Sequence, residues 1–270
     1  MREADHHVDT SQATNPGASP PPRPGDGAIQ LRAALGGKAF GAQEAMLTPR
    51  TPVQAKQGGP AGALAVQRSA APVQRTEVRN TIKDGPYEWT SAYDVGFDDA
   101  KKECTISVRV KLTPADSAVT VEDVKKIKGF AQAQFVKYWD NKFTITDSGT
   151  GTKYKLRVSL AFVDANEHVA VTLHPGQGRD DSENWYVDQI DNITLAHELG
   201  HQLGLKDEYV DSTVPERADD TGAGVHQDHS IMGNYYEEGE GAAGAQARHG
   251  ETFAGHIGGA TGRTLTSSTN

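Results

Sequence analysis

The residues able to do chemistry lie close together: His197-Glu198-Leu199-Gly200-His201, followed by Gln202-Leu203-Gly204-Leu205-Lys206-Asp207. Two histidines four apart fall on one face of a helix, about one turn apart, so both imidazoles can reach one metal ion. Glu198 is then beside that ion, placed to take a proton from water that the ion activates. Gly204 can adopt the left-handed conformation that ends a helix, which turns the chain back and brings Asp207 toward the ion. Two His and one Asp leave a fourth zinc position open, as catalysis requires; a purely structural site is usually closed by four protein ligands. Glu208, and His226, His229, His249 and His256 downstream, are rivals for the third ligand. The blander reading makes His197 and His201 satisfied core histidines and Asp207-Glu208 a solvated pair. It gives no reason for a glycine at the point where the chain must reverse.

Several elements must position this motif. Leu195, Leu199 and Leu203 give the metal helix a buried side, and its start is expected near Asp188 or Asp191. Residues 105–112 alternate apolar and polar side chains, the mark of a half-buried strand. Thr120, with Asp123 three residues on, caps a long helix over 121–141 that sets Val124, Ile127, Phe130, Ala131, Phe135 and Trp139 on its core stripe. Residues 154–163 and 168–174 read as strands, and 175–184 as a Gly- and Asp-rich loop. After the motif, 237–244 is an acidic loop, 245–257 a helix, and 259–270 a flexible tail. The expectation is an α+β domain over 76–258, with a mixed twisted sheet and a cleft across the metal helix.

Residues 1–75 differ in kind. They hold nine of the thirteen prolines and one aromatic, Phe40, too little apolar surface to offset the entropy of ordering, so a disordered arm is expected. The arm carries eight Lys+Arg against five Asp+Glu, and the remainder 19 against 31, for a whole-chain charge of -9. That balance argues against a nucleic-acid surface. The single cysteine, Cys104, excludes an internal disulfide framework. No apolar run reaches the ~18 residues of a membrane span, and the first thirty residues lack the apolar stretch of a secretory signal.

The motif His197-Glu198-x-x-His201-x-x-Gly204-x-x-Asp207 resembles that of the metzincin clan of zinc endopeptidases, and its Asp form is similar to the snapalysin-type small proteases. Ser230-Ile231-Met232-Gly233 resembles the clan's methionine turn, so Met232 is expected beneath the metal. The resemblance implies one zinc ion held by His197, His201 and Asp207, with Glu198 as general base in peptide-bond hydrolysis of a protein or peptide substrate. It also implies an oxyanion or substrate contact for Tyr235 or Tyr209; Tyr235 lies three residues past Met232, one further than the family tyrosine. Cys104 lacks the pro-segment surroundings of a thiolate that keeps zinc latent and reads as an inert thiol. The arm resembles the leaders of cargo carried by bacterial extracellular contractile injection systems, through residues 40–47, Pro52-Val53-Gln54 and the Val-Gln-Arg triplets ending at Arg68 and Arg75. That implies loading onto injection-tube proteins through residues 29–75, and export of a toxin or effector without a cleaved signal peptide; otherwise the chain is cytoplasmic. A non-catalytic zinc-binding or adaptor cargo is the second reading.

Overall fold

The computed structural model describes residues 74–188 and 193–270. The leader-like segment up to residue 73, and Asp191, lie outside the described residues. The described fold is α+β, as expected, built on a curled mixed sheet. In chain order it comprises β1 (Arg75–Asp84), β2 (Tyr87–Asp98), β3 (Glu103–Pro114), α1 (Val121–Trp139), β4 (Phe143–Asp147), β5 (Thr152–Phe162), β6 (Val169–His174), β7 (Asn184–Tyr186), α2 (Thr194–Gln202), α3 (Tyr235–Glu238), α4 (Ala247–Thr261) and β8 (Leu265–Thr269). Among the described residues, no helix is long and apolar enough to cross a membrane.

The sheet runs β1-β2-β3-β5-β4-β8, with β6 paired to β3 and β7 to β6. β3 pairs β2 over Glu103–Ser107 and β6 over Val110–Pro114, so β6 takes up pairing after β2 has left. The junction is held by charge: Arg109 binds Asp94, and the buried His168 ring lies 3.5 Å from the same carboxylate. Freed from β3, the first half of β2 and its partner β1 reach over the end of α2. There Trp89 Nε1 donates to His201 O at 2.9 Å, and Ser91 Oγ donates to Gln202 O at 2.9 Å. Both bonds fall on carbonyls of the last turn, with Trp89 a further donor to His201 O, which also accepts from Gly204 N at 3.0 Å.

α1 forms as its sequence predicts. Thr120 and Asp123 make a reciprocal capping box, and Ile127, Ala131, Phe135 and Trp139 are fully buried. Phe130 departs from expectation: it is 40% exposed at the margin of the stripe, with the Lys126 ammonium 6.0 Å from its ring centroid. α1 also organises the metal helix. Gln134 Oε1 accepts from Leu195 N at 3.1 Å and Ala196 N at 3.3 Å, while Trp139 Nε1 donates to Ala196 O at 2.9 Å.

Two boundaries are corrected. α2 begins at Thr194, because the Asp188 N–H is committed to Gly176 O at 3.1 Å, which keeps the chain out of the helix there. The segment expected to be a loose tail over 259–270 instead completes α4 and then forms β8. β8 pairs antiparallel with β4 from Phe143↔Thr269 to Asp147↔Leu265, satisfying backbone groups on the edge of β4 that would otherwise face water. The folded unit therefore extends to the end of β8, beyond residue 258.

Candidate metal centre

α2 presents His197, Glu198 and His201 from a helix whose other faces are sealed: Leu195, Leu199 and Leu203 are all fully buried. Leu203 is the C-cap, and Gly204 follows at φ +90, a conformation open to glycine, with the His256 ring packed where a Cβ would stand. The reversal returns Asp207 to the histidines. Its Oδ1 lies 3.1 Å from His197 Nε2 and 3.3 Å from His201 Nε2. Among the described residues, these three form the only group of His, Cys, Asp or Glu side chains placed to share an ion.

The donor chemistry fits a cation. His197 Nδ1 donates to Ile231 O at 2.9 Å, and His201 Nδ1 to Leu205 O at 2.9 Å; a carbonyl can only accept, so both protons sit on Nδ1. With a cation in place, each ring is neutral and turns the lone pair of Nε2 toward it, on the side of Asp207 Oδ1. That oxygen is itself buried with no hydrogen-bond partner among the described residues. Three lone pairs facing one another repel unless a positive charge sits among them. Tetrahedral zinc with bonds of about 2.0–2.1 Å sets its ligand atoms about 3.3 Å apart, close to the spacing seen.

The charges respond accordingly. Burial alone would raise the Asp207 carboxyl, but the two imidazoles hold it well below the usual carboxylate range. Burial opposes protonation of His201, yet Asp207 overrides it and raises the metal-free ring to about 9. Glu198 is buried beside this group, and burial pushes its carboxyl up. A carboxyl raised in this way is a better proton acceptor than an exposed one.

Residues 230–233 pack against α2. Met232 is fully buried, and its Sδ would be 2.5 Å from a Cβ at Gly200, so the glycine between the two histidines allows helix and turn to touch. Met232 O accepts from Glu208 N at 2.8 Å, which fixes the chain just past Asp207.

The rival third ligands are placed elsewhere. Glu208 turns away from the imidazoles of His197 and His201, binding Arg248 at 2.6 and 2.7 Å with Ser230 and His249 on the same carboxylate. His229 is exposed and His256 packs behind Gly204. Cys104 is buried in the core, where burial pushes its thiol up to about 12, and it stands outside the ligand group.

The two tyrosines divide. Tyr235 is buried with its ring edge-on to His197, centroids 5.8 Å apart. Tyr209 donates to Asp207 Oδ2 at 3.0 Å and accepts from Arg179 Nη2 at 3.2 Å; burial and the Asp207 charge raise its pKa, keeping the hydroxyl protonated.

Four contributors were not foreseen from sequence: Gln134, Trp89, Ser91 and Arg217. Asp84-Gly85-Pro86, a turn pattern, is the one local signal that could mark the hairpin carrying Trp89 and Ser91. No family model matches this chain, and no curated protein or solved structure matches it either.

Proposed function

We propose that this chain is a zinc-dependent endopeptidase of metzincin type, acting on polypeptides rich in Lys and Arg. The observation that carries the proposal is the convergence of His197 Nε2, His201 Nε2 and Asp207 Oδ1 beside a buried Glu198. Zinc, when bound there, supplies Lewis acidity toward a scissile carbonyl and toward water. Glu198 accepts the proton from the attacking water and returns it to the leaving amine, a role helped by its raised pKa. Tyr209 commits its one hydroxyl proton to the ligand carboxylate, and Arg179, which donates to the Tyr209 oxygen, supplies positive charge beside the carbonyl oxygen as it gains charge. Tyr235 packs against the His197 ring and holds it in place.

The charge distribution supports the substrate class. Residues 164–262 hold nineteen Asp+Glu against four Lys+Arg. Arg217 and Arg248 among those four are already engaged by carboxylates. Asp181 acts on the Glu198 carboxyl, and Asp188, Asp219, Asp220 and Glu237 are exposed on the segments that lead into and out of the site. A field of this sign favours cationic substrates and disfavours acidic ones.

The test is a protein extract incubated with the zinc-loaded chain, and the new N-termini mapped. Cuts flanked by Lys or Arg should arise, vanish on chelation and return with zinc. A map with no metal-dependent cut contradicts the proposal. Delivery as cargo of a contractile injection particle is a further proposal, resting on the leader resemblance alone. Removing residues 1–75 should then abolish loading while cleavage persists; unchanged loading refutes it.

A further inference from the structure

Arg217 sits in a 3-10 turn, Pro215–Arg217, ten residues past Asp207, and is 1% exposed. Burying a guanidinium costs several kcal/mol unless its donors and charge are matched. Here Nη1 donates to Tyr209 O at 2.6 Å and Nη2 to Asp84 Oδ2 at 2.7 Å, while Nη2 also lies 3.8 Å from Asp207 Oδ2. The guanidinium further lies 5.3 Å from the centroid of the Tyr209 ring, whose hydroxyl donates to the same Asp207 oxygen. Asp84 ends β1 at the hairpin turn, and that turn is wedged against the loop carrying Arg217. A Cβ on Gly85 would lie 2.9 Å from Val214 Cγ2, and the Tyr87 hydroxyl is 3.2 Å from Thr213 Oγ1.

We infer that Asp84 and Arg217 are a positioning pair for the third ligand, through which the β1–β2 hairpin sets the zinc affinity of the site. The inference rests on the metal reading above. The two oxygens of Asp207 have separate tasks. Oδ2 faces Tyr209 and the guanidinium, which leaves Oδ1 free to face the imidazoles. Asp84 holds the guanidinium at 3.8 Å, near enough to fix the orientation of Asp207 and too far to occupy it. The same hairpin holds the His201 end of α2 through Trp89 and Ser91, so it braces two of the three ligands.

The test is zinc affinity, measured by competition with a chelator on the full chain. The variants are Arg217→Met and Asp84→Asn, each made in the parent and in Asp207→Asn. Loss of such a supporting contact weakens metal binding by about 10–100-fold, and that is expected for Arg217→Met. Asp84→Asn should weaken it in the same direction, because the released guanidinium closes onto Asp207. Both effects should shrink below about threefold in the Asp207→Asn background, where the residue acted upon is gone. Equal losses in both backgrounds would mean that Arg217 serves only the fold, and overturn the inference. If Arg217→Met does not fold, the isosteric Asp84→Asn decides by the same comparison. A parent chain that binds no zinc overturns the metal reading itself, a distinct result from zinc binding without coupling.

Discussion

His197 Nδ1 donates to the carbonyl oxygen of Ile231 at 2.9 Å, so the residue beside Met232 fixes the tautomer of the first candidate ligand. α2 and residues 230–233 thus form one unit, joined by this bond and by the contact of Gly200 with Met232. A Cβ at Gly200 would stand 2.5 Å from Met232 Sδ and 3.2 Å from Trp139 Cζ2, both in fully buried residues with no room to yield. Gly200→Ala should therefore destabilise the chain by about 1–3 kcal/mol, read as a lower melting temperature. The loss should be smaller in a Met232→Ala background, where the cavity admits the methyl group.

Glu208, next to Asp207, should contribute to acid stability. Burial would raise the Glu208 carboxyl, but hydrogen bonds from Arg248, then His249 and Ser230, outweigh it and bring the pKa from 4.5 to about 2. A carboxyl depressed on folding stabilises the native state above its unfolded pKa, and that stability is lost as pH falls through the folded value. The shift is worth roughly 3 kcal/mol at neutral pH. Denaturant titrations should show this stability falling between about pH 5 and 2. Glu208→Gln should be less stable at neutral pH and flatter across that window.

Removing the metal should reverse the sign of the pH dependence. In the metal-free chain the His201 ring is raised to about 9, so its contribution is complete below pH 6.5 and is lost as pH rises through 9. The metal-free chain should therefore lose stability from about pH 7 to 10, and the zinc-loaded chain should not. Zinc loading at neutral pH should also release protons, measurable by calorimetry in buffers of different ionisation enthalpy.

The local signals were legible in the sequence. Spacing placed His197, Glu198 and His201 on one helical face, Gly204 marked the reversal, and Thr120 with Asp123 announced α1. What was illegible depends on contacts between distant residues. Trp89 and His201 are 112 residues apart in the chain, and Arg217 and Asp84 are 133. Arg217 reads in sequence as an ordinary surface cation and becomes a buried one only when the hairpin lies over it. β8 is illegible in sequence because Thr, Ser and Gly suit a loose tail and an edge strand equally well, until β4 offers an edge to pair. α2 starts at Thr194, where Gln134 of α1 meets its first N–H groups, a partner that no pattern local to the motif reveals.

The central claim is that Glu198 works as a base beside a metal held by His197, His201 and Asp207. Glu198→Gln keeps the size of the side chain and leaves those three residues in place. The decisive measurement is the peptide-hydrolysis rate of Glu198→Gln, with zinc content determined on the same sample. The account predicts about one zinc per chain, as for the parent, and a rate lower by at least about 10²-fold. A zinc-loaded Glu198→Gln chain that cleaves as fast as the parent would contradict it.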